Sequence, residues 1–292
     1  MTGIALAALA VLLAWAAPSA LARSAWVERA PRAGVVLWQA LAMAAVLAAV
    51  GAALATPEEA LRTWTGSIEF GMDLLHAAGL AALLAGVILV RLVWVTVRLG
   101  LRTRRRRARH AELLQLLDTA DPDDRRMHVL TGPVPMAYCI PGRSHKVVVT
   151  DATLALLDAA EVDAVIEHER AHLRARHDLV LEAFTALHAS FPRFVRSRLA
   201  LDAVHRLLEM LADDAAAARV GTDTLRSALA KLGSTAESST IHARRARLQV
   251  VDAGHPQLAG AGAYLGAVAV LALPTLVLVE PWLRAAAAAL WS

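Results

Sequence analysis

The chain has 292 residues, of which 57% are hydrophobic and only 4% aromatic, with a formal net charge of +4. An apolar share above the roughly 45–50% usual for soluble domains excludes an ordinary water-soluble globule and points to a bilayer. Cys139 is the only cysteine, which excludes an intrachain disulfide and any metal site built on paired cysteines.

Four stretches carry the apolar excess in chain order: Gly3 to Ala22, Ala33 to Ala55, Leu74 to Val90 with a continuation to Val97, and Leu258 to Val279. Each approaches or exceeds the ~20 residues a helix needs to cross the hydrocarbon core, so four transmembrane helices are expected. Arg91 interrupts the third near one end, where a long side chain snorkels to the headgroups. Pro274 is a potential kink in the fourth, of a kind that lipid-embedded helices tolerate.

The run Arg102-Thr103-Arg104-Arg105-Arg106-Arg107-Ala108-Arg109 directly follows the third stretch. Basic residues this close to a span mark its cytoplasmic end. The loop from Thr56 to Asp73 then falls outside, with Glu58, Glu59, Glu69 and Asp73 against Arg62. The loop from Arg23 to Arg32 falls inside, with Arg23, Arg29 and Arg32 against Glu28. Ala20-Leu21-Ala22 resembles a signal-peptidase site, but Met1-Thr2-Gly3 supplies no basic side chain, and cleavage would place the arginine run outside. An uncleaved first helix with its N-terminus outside is the consistent reading.

Residues 110–257 lie between the third and fourth spans and suffice for a compact domain, cytoplasmic by this topology. The expected organisation is residues 1–109 as three transmembrane helices with an arginine-rich junction, 110–257 as the cytoplasmic domain, and 258–292 as the fourth helix with a short external tail. Ala111 to Leu117 is a short helical pattern, followed by the turn formers Asp121-Pro122-Asp123-Asp124. Met127 to Leu130 and Lys146 to Thr150 read as strands, with Pro141-Gly142 turning the chain before the second. Asp158 followed by Glu161 forms a capping-box pattern, so a helix begins near Ala159. Another runs from Phe194 to Val220 and stops at Gly221.

The first of these helices carries His168-Glu169-Arg170-Ala171-His172. Positions four apart share a helix face, so both imidazoles converge on one metal ion with the glutamate beside a bound water. Zinc suits neutral imidazole and leaves a position for water of lowered pKa, from which Glu169 takes the proton as general base. The bland alternative is a solvent-facing helix of alternating charges, since Glu167, Arg170, Arg174 and Arg176 surround the motif. A catalytic zinc needs a third protein ligand. Glu209, in Glu209-Met210-Leu211-Ala212-Asp213-Asp214, is the candidate, and Asp213 one turn on is placed to orient a ligating histidine. His205 is a candidate oxyanion donor or a surface histidine, and His177 and His188 read as structural.

The His168–His172 helix, the strand before it and the Glu209–Asp213 run together resemble the BlaR/MecR-type integral-membrane zinc metallopeptidases. The related HtpX-type proteases share much of the pattern. The resemblance runs from about Met136 to Leu232. It implies a mainly α membrane protein, with a cytoplasmic α+β zincin-like metallopeptidase domain between the third and fourth of four transmembrane helices. It also implies that His168, His172 and Glu209 bind Zn2+, that Glu169 is the base, and that the Val147–Thr150 strand pairs with an extended substrate. Two departures stand out. The penicillin-binding sensor expected after the fourth span is lacking, and the acidic residue often found five positions after the second histidine is here His177, with Asp178 next.

The leading expectation is a membrane-embedded zinc endopeptidase cleaving a cytoplasmic protein such as a transcriptional repressor. The alternatives are an HtpX-like quality-control protease and a non-catalytic adaptor whose arginine run binds lipid or nucleic acid. Expected partners are a protein substrate and membrane lipids, with no direct nucleic acid. Signal, substrate identity and oligomeric state have no signature in the sequence.

Overall fold

The computed structural model describes residues 1–65, 72–117, 127–142, 146–191, 198–235, 244, 247–248 and 256–290. Four of its helices are long and apolar enough to cross a membrane: Thr2–Ala22, Pro31–Trp64, Met72–Leu114 and Gln257–Glu280. Each overlaps one of the four expected stretches, but the second continues to Trp64, making the start of the expected loop from Thr56 helical, and the third continues past Val97 to Leu114. The first, α1, contains a π turn at Leu12–Ala16, and α2 runs Pro31–Thr65. The third, α3, continues without a break over Met72–Leu117, so the pattern at Ala111 to Leu117 is its last part and not a separate helix. The Asp121-Pro122-Asp123-Asp124 turn and Phe194 lie outside the described residues.

The chain groups into two compact units, Met1–Val97 with Phe184–Ala203 and Pro256–Ser292, and Arg98–Ala183 with Val204–His255. In the first, α1 packs on α2 through small residues. A Cβ on Gly3 would meet Thr56 Oγ1 at 2.7 Å, and one on Gly51 would meet Leu6 Cδ1 at 3.1 Å, so glycine permits the close approach typical of helices packed in lipid. The last helix, Pro256–Leu290, buries Ala263 and Ala267 against Ala33, Leu37 and Ala40 of α2. Large apolar side chains remain exposed along α3 and this helix, among them Leu83, Val87, Val90, Val93, Leu265, Val268 and Leu276. Contiguous exposed apolar surface on this scale suits lipid and not water. Arg91 donates from Nε to the carbonyl oxygen of Ser190 at 2.6 Å, satisfying an acceptor at a helix C-terminus.

The second unit is built on a three-stranded sheet of β1 (His128–Leu130), β2 (Ala137–Ile140) and β3 (Lys146–Thr150). The strand order is β1-β3-β2, with β1 parallel and β2 antiparallel to β3. The apolar run of β3 is buried on both faces. Val147 and Val149 pack with Ile166 and Leu173, and Val148 packs with Leu114 and Ile140, as alternation along a strand requires. Because β3 is central, it has no free edge to pair with a substrate, contrary to the expectation for Val147–Thr150. The antiparallel edge belongs to β2, a strand absent from the expected elements. Met136, just before β2, is pinned to the start of the short helix α4 (Asp151–Leu156). Its N–H lies 3.0 Å from Thr150 Oγ1 and 2.7 Å from Thr153 Oγ1, and Thr153 Oγ1 donates to its carbonyl at 3.0 Å.

The helix α5 spans Ala159–Arg174 and opens on the expected capping box, Glu161 N donating to Asp158 Oδ1 at 2.9 Å and Asp158 N to Glu161 Oε2 at 3.0 Å. After α5, Arg176 adopts φ +51°, a left-handed conformation that reverses the chain into α6 (His177–Ser190). α7 spans Arg198–Val220 and ends at Gly221, whose φ of +92° separates it from α8 (Thr222–Thr235). Ala164 of α5 is sealed by Ala216, Leu225 and Leu229.

Candidate metal centre

The buried face of α5 reads Glu161, Ala164, Val165, His168 and Ala171. The helical spacing that carries Ala164 into the core therefore carries His168 inward as well. One turn on, His172 is half-buried on the same face. α7 crosses this face in the opposite sense, so that Glu209 meets His172 and Asp213 meets His168. The two imidazoles face each other through their Nε2 atoms at 3.2 Å. Glu209 Oε1 lies 3.3 Å from His172 Nε2, and Oε2 lies 3.5 Å from His168 Nε2.

These separations test whether an ion fits. A tetrahedral centre with bonds of about 2.0–2.1 Å holds neighbouring donors about 3.3–3.4 Å apart, close to all three distances found. The remaining ring nitrogens are also engaged on the outer side. His168 Nδ1 lies 3.0 Å from Asp213 Oδ1 and His172 Nδ1 lies 2.9 Å from His177 Nδ1. With Nδ1 of each ring acting as the donor, both Nε2 atoms present lone pairs beside a carboxylate. Without an ion, the second proton of His168 and the Arg244 guanidinium, 2.9 Å from Glu209 Oε2, offset the carboxylate charge, and a bound cation would replace that proton. His168, His172 and Glu209 are thus a donor set that fits a metal ion, each offering one atom.

Titration follows from the same packing. Burial works against a charged His168, but its hydrogen bonds to Asp213 and Glu209 prevail and raise it to about 9. Burial likewise opposes ionisation of Glu209, and hydrogen bonds from His168 and His172 overcome it and hold the carboxylate far below its usual range. Glu169 is raised, chiefly by burial, with the two imidazoles pulling the other way. It faces the β2 edge, where the Cys139 thiol hydrogen-bonds to it. Burial first and Glu169 second push that thiol up to about 12.

Asp213, expected as an orienting residue, is 1% exposed and also binds a residue the sequence did not point to. Arg244 donates to both Asp213 oxygens, from Nε at 2.7 Å and Nη2 at 2.5 Å, and its Nη1 lies 2.9 Å from Glu209 Oε2. His177 is buried against His172, and burial lowers it to about 4. Asp178 is taken instead by Arg107 at 3.0 Å and Arg176 at 3.2 Å. His205 is exposed, in keeping with a surface histidine. Glu167 accepts from Arg170 and Arg174, so the polar neighbourhood of the motif is the outer face of the same helix whose inner face holds the histidines.

Residues 101–201 match the family model described as Peptidase family M48. The matched stretch takes in the sheet, α5, all of α6 and the start of α7, and stops before Glu209 and Arg244. No curated protein and no solved structure matches the chain. The M48 match covers His168, Glu169 and His172 and supports a metal-dependent protease.

Proposed function

We propose that the protein is a membrane-embedded zinc endopeptidase whose catalytic unit faces the cytoplasm and cleaves a protein there, a transcriptional repressor in a signalling pathway. The observation that carries this reading is the convergence of His168, His172 and Glu209 at tetrahedral spacing with Glu169 beside them. Two imidazoles and one carboxylate form a zinc set that leaves a coordination position open. When bound, the ion supplies Lewis acidity toward water and toward the scissile carbonyl.

The chain's own residues would do the rest. Glu169, its pKa raised by burial, takes a proton from the attacking water and returns it to the leaving amine. An extended peptide adds to the β2 edge at Ala137–Ile140, where main-chain hydrogen bonds hold it without strict sequence choice. The arginine run from Arg102 to Arg109, in the C-terminal part of α3, supports the cytoplasmic orientation. The resemblance to BlaR/MecR-type peptidases supports a repressor as the substrate.

The test is cleavage by the zinc-loaded full chain and its Glu169→Gln variant, followed by sequencing of the products. Loss of about 10²–10⁴ in rate with zinc still bound is expected for removal of a general base. Unchanged cleavage by the variant would defeat the assignment. A single discrete product supports signalling, whereas many products from unfolded membrane proteins would indicate a quality-control protease.

A further inference from the structure

His172 must bind a metal through Nε2, the atom that faces His168 Nε2 at 3.2 Å and Glu209 Oε1 at 3.3 Å. A neutral imidazole has one proton, so a lone pair on Nε2 requires that proton on Nδ1. Nδ1 points away from the centre and lies 2.9 Å from His177 Nδ1. For that contact to be a hydrogen bond, His172 donates and His177 accepts, which places the His177 proton on its own Nε2. The opposite assignment would put a proton on His172 Nε2 and remove the ligand.

His177 is held for this task. It is 4% exposed, and its ring meets that of His172 edge to face, with centroids 4.8 Å apart and planes at 87°. The left-handed turn at Arg176 starts α6 at His177. The carboxylate of the neighbouring Asp178 is drawn away by Arg107 and Arg176. Since Nδ1 of His177 addresses the outer nitrogen of His172, it stands on the wrong side of that ring to be a ligand itself.

We propose that His177 is a positioning residue that fixes His172 in its ligating tautomer and orientation, as Asp213 does for His168. The two ligands are then unequal, because one is backed by a carboxylate and the other by a neutral imidazole that adds no negative charge. This inference rests on the metal-centre reading above.

The experiment is zinc affinity of the full-length protein in detergent, measured by chelator competition, for wild type, His177→Phe and His177→Asn. Phenylalanine keeps a ring in the space but has no acceptor, whereas asparagine offers a side-chain oxygen where Nδ1 stood. His177→Phe should bind zinc about 10–100-fold more weakly, the usual effect of removing an orienting partner, and His177→Asn should recover most of the loss. The melting midpoint of the metal-free variants reports packing separately, and a variant that melts like wild type yet binds zinc weakly supports the proposal. Wild-type affinity in His177→Phe would overturn it, as would equal loss in His177→Asn. If wild type and His168→Ala alike bind no stoichiometric zinc, the metal-centre reading itself fails.

Discussion

Replacing Asp213 by alanine removes three interactions at once, and their geometry sets the expected cost. The carboxylate is 1% exposed, binds Arg244 through both oxygens and lies 3.0 Å from His168 Nδ1. Breaking a buried pair by deleting one member costs about 3–5 kcal/mol, because the other charge stays buried and uncompensated. Arg244 keeps Glu209 at 2.9 Å, so the lower end, about 3 kcal/mol, is expected for Asp213→Ala. Asp213→Leu combined with Arg244→Met removes both charges, and although Glu209 then loses Arg244, the double should cost clearly less than the sum of the Asp213→Leu and Arg244→Met singles. Chemical unfolding of metal-free wild type, both singles and the double in one detergent gives the coupling directly. Zinc affinity follows another rule, since His168 lacks its acceptor in both the Asp213 single and the double, and both should bind about 10–100-fold more weakly. Additive single effects, with the double as unstable as their sum, would refute the claim that Asp213 and Arg244 act as one buried unit.

Three further outcomes follow from individual groups. Glu161 is held at about 2 against burial by hydrogen bonds from Lys231 and Ser227, so its contribution is present above the unfolded value of about 4.5 and is lost as pH falls toward 2. Glu161→Gln should therefore flatten that part of the pH–stability curve, and a wild-type curve retained in the variant would contradict it. His168 is raised to about 9 without metal. It contributes stability to the metal-free protein that is fully present below about 6.5 and lost as pH rises through 9. Zinc must displace that proton, so its affinity should climb about tenfold per pH unit up to about 9 and then level off, as competition titrations would read. The Cys139 thiol, pushed up to about 12, should resist alkylation at pH 8 in the folded protein and react after denaturation. Labelling of the folded protein at the rate of a free thiol would contradict its burial against Glu169.

What was legible in the sequence was what local chemistry encodes. The capping box fixed the start of α5 from two residues three apart, and the four-residue step between His168 and His172 placed both on one face before any packing was known. Apolar length alone located the four candidate spans. Reading failed where the signal is a pairing between distant segments. β2 is four residues of mixed character between Pro135 and Pro141, too short for alternation to show, and its place at the sheet edge is decided by antiparallel pairing with β3. Arg244 lies in the basic stretch His242-Ala243-Arg244-Arg245, and nothing there distinguishes it as the partner of a carboxylate 31 positions away.

The histidines show why spacing alone does not make a metal centre. Two imidazoles a turn apart donate to each other, to water or to a carboxylate with equal ease, and the choice depends on what the outer nitrogens meet. Here Asp213 and His177 occupy those outer positions, at 3.0 Å and 2.9 Å, and turn both Nε2 lone pairs inward toward Glu209. Had either outer neighbour been apolar, the neutral ring would have no acceptor for a proton on Nδ1 and would carry it on Nε2, the position a metal needs. It is the acceptors behind the rings, contributed by two other helices, that convert a four-residue repeat on α5 into a donor set that fits a metal ion.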